Sequence, residues 1–146
     1  MIPPIRILTF LLVALALAPC YRLHPLYEIT GESPEGFLWQ RRYIIVSNDN
    51  PEKMAQALFV QFFNSASYAV PTGVEVLGAV IESGILVLDV SANILHFGGN
   101  ANEHALVMQI LKNAASLPGI NSITLLTEGR LGHLPEGRIV YRHNLY

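Results

Sequence analysis

The chain has 146 residues, 51% of them hydrophobic and 14% charged, a size that suits one globular domain with a buried core rather than two. Its formal net charge is −2 and its lysines are Lys53 and Lys112 alone, so no basic footprint for a nucleic-acid backbone is present. The one cysteine, Cys20, excludes any internal disulfide.

At the N-terminus Arg6 precedes an apolar run over 7–18 in which only Thr9 is polar. A basic start followed by a short apolar run is an export signal. At about 1.5 Å per residue the run makes a helix of roughly 18 Å, well short of the ~30 Å hydrocarbon core of a bilayer, so a spanning helix is the weaker reading. The run closes on Leu17-Ala18-Pro19-Cys20, which resembles a bacterial lipobox, where an apolar tripeptide precedes a cysteine that is diacylated and becomes the mature N-terminus. Leu17 fits that pattern, whereas Pro19 stands where Gly, Ala or Ser is usual. Cleavage after the A-x-A-like Ala14-Leu15-Ala16, or retention as an uncleaved anchor, are the alternatives to lipidation at Cys20. All three routes place the domain outside the cytoplasm, and the several acyl chains of a lipoprotein would hold it firmly to the membrane.

The sequence therefore divides into a signal peptide over 1–20, a tether over 21–36 and a single domain over 37–146. The tether, YRLHPLYEITGESPEG, mixes Pro, Gly, Glu and Ser without a period. FLWQRRYIIV over 37–46 is rich in aromatic and β-branched residues and predicts a first strand, with Arg41-Arg42 on a solvated face. Asn50, Pro51 and Glu52 are cap, first-turn and dipole residues of a helix whose apolar face, Met54, Ala55, Leu58, Phe59 and Phe62, runs to about Asn64. Strands follow over 74–82 and 85–90, joined by Ser83-Gly84 as a two-residue hairpin turn.

Asn100 and Glu103 have the spacing of a capping box, and Leu106, Val107, Ile110, Leu111, Ala114 and Leu117 mark a second amphipathic helix stopped by Pro118-Gly119. A fourth strand is predicted over 122–127 and a short last one over 139–141. The order β-α-β-β-α-β predicts an α+β, two-layer sandwich with two helices on one sheet face.

Chemistry finds little support. Asp89, Ser91, His96 and His104 are the one local set from which a Ser-His-Asp arrangement can be drawn, and nothing places an imidazole against Ser91. Asp89 and Ser91 read more simply as strand-end residues that hydrogen-bond a loop. His96 and His104 lack the short spacing and cysteine partners of zinc ligands, and no cofactor is implied. Phe97-Gly98-Gly99-Asn100 precedes a helix, but no Lys-Ser or Lys-Thr follows it, so it reads as a turning loop rather than an anion cradle.

The run over 70–129 resembles the GerMN domain of bacterial sporulation and germination lipoproteins. The likeness is carried by VPTGVEVLGAVIESGILVLDVS over 70–91, by Glu103 opening a helix, and by VMQILKNAASLPGINSITLLTEG. This chain has one copy where such proteins often have two, and Glu128 where an aspartate commonly precedes the glycine. The resemblance implies a domain related to the ring-building modules of secretion and sporulation machines, often lipid-anchored, without established catalysis and without an active site to carry over.

The expectation is thus a non-enzymatic lipoprotein of the cell envelope, tied to sporulation or germination in the sense the resemblance implies, whose partners are envelope proteins or further copies of itself. The alternative is a small-molecule or cell-wall glycan module that stacks its ligand on Trp39 and the tyrosines.

Overall fold

The computed structural model describes residues 21–65 and 67–146. The export signal and Cys20 lie outside the described residues.

Residues 21–36, expected to be a tether, instead form strand β1 (Tyr21–Ser33) and the turn into β2 (Gly36–Ser47). The two strands pair antiparallel from Tyr21↔Ser47 to Ser33↔Gly36, with a bulge between Ile29 and Gly31. The period of two is present in β1 but carried by an unexpected face. His24, Leu26 and Glu28 are buried, while Leu23 and Tyr21 on the alternate positions are exposed, so the inward side is the more polar one.

Helix α1 (Pro51–Phe63) begins as its sequence dictates: Asn50 Oδ1 accepts from the amides of Glu52 and Lys53 at 2.9 and 3.1 Å, with Pro51 at the first helical position. It buries Met54, Ala55, Leu58, Phe59, Phe62 and Phe63. Strands β3 (Val76–Glu82) and β4 (Ile85–Val90) form the expected hairpin, and Ser83 and Gly84 both adopt positive φ, 51° and 78°, as a type I′ turn requires. Gly84 is also tightly covered, since a Cβ there would fall 2.6 Å from Asn121 Oδ1.

After a short 3₁₀ turn at Ala92–Leu95 comes helix α2 (Asn100–Ala115), the crossover that brings β5 (Ser122–Thr127) parallel to β4. The capping box is not formed. Gly99 is the N-cap and Asn100 the first helical residue, so Glu103 sits a position too deep to reach back and turns its fully buried carboxylate elsewhere. It accepts from the backbone amides of Glu136 and Arg138 at 2.6 and 3.0 Å and from Arg138 Nη1 at 3.2 Å, fixing the C-terminal loop.

The last strand also shifts. Over 139–141 only the Val140 carbonyl joins the ladder, accepting from Leu125 N at 2.9 Å, and the short strand β6 is His143–Asn144, antiparallel to β5. The main sheet has the order β3-β4-β5-β6, and the strand predicted over 37–46 belongs not to it but to the separate β1–β2 ribbon.

The class is α+β. Leu86, Leu88 and Val90 of β4 and Ile123 and Leu125 of β5 share one core with Phe59 and Phe62 of α1 and Leu106 and Ile110 of α2, and Leu26, Ile44 and Val46 extend that core into the ribbon. No helix of the described residues is long and apolar enough to cross a membrane.

Candidate interaction surface

Gln109 and Asn113 lie one turn apart on α2, in the middle of its apolar stripe, and both are fully buried. Their carboxamides act as a peptide edge for β1. Asn113 Oδ1 accepts from Tyr27 N at 2.9 Å and its Nδ2 donates to Tyr27 O at 2.8 Å. Gln109 Oε1 accepts from Ile29 N at 2.8 Å, its Nε2 donates to Tyr68 O at 2.8 Å, and Tyr68 N donates to Ile29 O at 2.9 Å. Next to this clamp Ser116 Oγ donates to Asn113 O at 2.6 Å, so at 2.9 Å it receives His24 Nε2–H, leaving Nδ1 to accept from Arg22 at 3.2 Å. Burial, and then the Arg22 guanidinium, hold the His24 pKa below the usual imidazole value.

This clamp settles which backbone groups of β2 are open. Tyr27 turns both backbone groups, and Ile29 its N–H, toward α2, while the Ile29 C=O takes Tyr68 N on the same side, so both residues form non-hydrogen-bonded pairs with their partners Arg41 and Trp39. By the same alternation the N–H and C=O groups of Trp39, Arg41, Tyr43 and Ile45 point away from β1. Among the described residues no backbone group pairs with that edge. The outer edge of the main sheet is better guarded, for Glu52 Oε1 takes Ile81 N at 2.9 Å.

The ribbon's outer face is apolar and open: Tyr21, Leu23, Tyr43 and Ile45 are 54%, 68%, 56% and 70% exposed. Farther along, Lys112 Nζ stands 4.3 Å above the Trp39 ring and 5.1 Å from that of Tyr27, pinning α2 to the ribbon through cation–π contacts. On the other side an open groove of about 600 Å³ is lined by Thr30, Gln40, Tyr68 and the pair Glu28–Arg42, joined by two contacts of 3.2 and 3.3 Å.

Arg41 is exposed, its guanidinium 5.4 Å from the Tyr43 ring, but Arg42 is not the free solvated residue its sequence suggests, because it pairs with the nearly buried Glu28. The residues from which a triad could be drawn are each engaged separately. Asp89 Oδ1 accepts from Gly129 N at 2.9 Å, and Ser91 Oγ accepts from Glu75 N at 3.0 Å, so both secure loops of the sheet other than the one that follows them. His104 packs against Phe37, with centroids 5.6 Å apart, and His96 is exposed after the 3₁₀ turn. The Gly99 amide donates to Glu136 Oε1 at 3.0 Å, so a carboxylate of the chain itself occupies that loop. Among the described residues no group of three or more His, Cys, Asp or Glu is placed to hold a metal ion.

Gln109 and Asn113 escaped sequence reasoning. The available signal was their position: amides at i and i+4 inside an apolar helical stripe are buried polar groups that require partners.

The fold and this surface define a small α+β domain whose open features are a strand edge and an apolar ribbon face. The chain belongs to the Germane family, sporulation and spore germination, whose model matches residues 26–132. Among solved structures it is similar to the first GerMN domain of the Bacillus subtilis sporulation protein GerM, with TM-score 0.60 and 16% identity, over 84% of this chain and 96% of that one. The tandem GerMN domains of the same protein match with TM-score 0.54 and 13% identity, over 76% of this chain and 40% of that one. A candidate lipoprotein from Clostridium perfringens matches with TM-score 0.53 and 18% identity, over 78% and 79%. No curated protein sequence matches the chain.

Proposed function

We propose that this protein is a non-enzymatic lipoprotein of the cell envelope, held to the membrane through Cys20, whose domain associates with other envelope proteins or with further copies of itself. The observation that carries this reading is the β2 edge at Trp39, Arg41, Tyr43 and Ile45, unpaired among the described residues, to which a neighbouring strand can add. The membership of a sporulation and germination family, and the likeness to a sporulation protein and a candidate lipoprotein, support an envelope role of that kind.

Arg41→Pro tests it. Proline there removes an outward donor without removing a ladder bond to β1, as Pro25 does on the strand opposite. The wild-type full chain is expected to cross-link or to scatter light as an oligomer, or to recover an envelope partner, and the variant to lose that association while keeping its helical circular dichroism. A wild-type chain that is strictly monomeric and recovers no partner overturns the reading.

The polar groove bounded by Gln40 and Arg42 gives the wall-glycan reading its one support. Lys112 already covers the Trp39 ring that such a ligand would use. Saturable quenching of the single tryptophan by wall fragments would favour that reading, and a flat titration removes it.

A further inference from the structure

We propose that the outer face of the β1–β2 ribbon, formed by Tyr21, Leu23, Pro25, Tyr43 and Ile45, rests on the surface of the lipid bilayer that holds the N-terminus. The inference rests on membrane attachment at Cys20 and adds to it an orientation.

All five residues occupy odd positions on paired strands, with Leu23 opposite Ile45 and Pro25 opposite Tyr43, so they form one continuous face. The two central aliphatic side chains, Leu23 and Ile45, are 68% and 70% exposed, although the domain core lies on the reverse of the same strands. An apolar face this open calls for a partner.

The position of the anchor identifies that partner. Strand β1 is already regular at Tyr21, the residue after Cys20, so no slack separates the two. At about 3.4 Å per strand residue, Leu23 lies within roughly 10 Å of Cys20, little more than the ~5–8 Å depth of one lipid headgroup layer. A lipid-held Cys20 therefore brings this end of the ribbon to the interface. The chemistry suits that depth: tyrosine rings flank aliphatic side chains, and the Arg41 guanidinium, 5.4 Å from the Tyr43 ring, is placed for anionic headgroups.

The test uses the acylated full-length chain in vesicles of phosphatidylethanolamine and phosphatidylglycerol. Cys20 is the single native cysteine and acylation blocks its thiol, so a cysteine introduced as Leu23→Cys or Ile45→Cys takes an environment-sensitive fluorophore alone. Val80→Cys, on the main sheet and 54% exposed, is the control. Brominated lipids are expected to quench the probes at 23 and 45 at least about threefold more than the probe at 80, as for side chains seated in the headgroup region.

Equal, weak quenching at all three sites, with Cys20 shown by mass spectrometry to be acylated, overturns the inference and leaves the anchor standing. Disulfide-linked Ile45→Cys dimers, formed without quenching, overturn it in favour of a second copy on this face. A chain with unmodified Cys20 that stays off the vesicles overturns the anchor, and the orientation falls with it.

Discussion

The main sheet and the ribbon are held by different forces. Strands β4 and β5 are fixed by apolar burial: Leu86, Leu88, Ile123 and Leu125 meet Phe59, Phe62, Leu106 and Ile110, and many interchangeable contacts share the load. Strand β1 shares part of that core through Leu26, but its edge is set by directed bonds from Gln109 and Asn113 to two particular residues, Tyr27 and Ile29. Burial of apolar area tolerates small displacements, whereas a carboxamide bound to a peptide group fixes register to a single residue. The sheet thus supplies stability, and the α2 amides supply the position of the ribbon.

The largest effect is expected from Phe59→Ala, which empties a fully buried ring site between the helices and the sheet. A loss of about 3–5 kcal/mol is expected, read by chemical denaturation, with sheet and ribbon signals lost together. If the ribbon survives the sheet, the two regions are not one cooperative unit.

Asn113→Leu comes next. It leaves the Tyr27 N–H and C=O without partners and is expected to cost about 2 kcal/mol. Hydrogen exchange should locate the effect, with the Tyr27 amide deprotected well beyond the Leu88 amide. Equal acceleration at both sites would place the clamp on the global unfolding pathway instead.

The smallest effect is expected from pH. The folded chain holds the His24 pKa below its unfolded value near 6.5, so between those values the unfolded state binds more protons. Stability is therefore full above about 6.5 and declines as pH falls through the folded pKa. The decline should appear first as faster exchange at Tyr27 and Ile29, after correction for intrinsic rates, and His24→Gln should flatten it. An unchanged profile in that variant removes His24 as the source.

The same division explains what the sequence discloses. Helix α1, with Asn50 and Pro51 at its start, the Ser83-Gly84 hairpin, β4 and β5 are written in local signals that burial then confirms. Strand β1 is hidden because His24 and Glu28 occupy inward positions while Leu23 and Pro25 face outward, a pattern that makes sense only with Ser116 and Arg42 in place. Both partners are remote in sequence. Glu103 misleads for a related reason: its spacing from Asn100 suits a cap, yet its carboxylate is taken by a loop more than thirty residues away. The candidate surface was legible only in part. Residues 37–46 could be recognised as a strand, but that its outer edge is open follows from which side α2 occupies.

Lys112 above the Trp39 ring also turns the molecule into its own optical instrument. The chain has a single tryptophan, and its ring lies at the joint between ribbon and α2 rather than in the main core. Its emission therefore follows the seating of the ribbon, while far-ultraviolet dichroism follows the helices. Melting curves recorded both ways on the same sample would separate an undocked ribbon from an unfolded domain without any label.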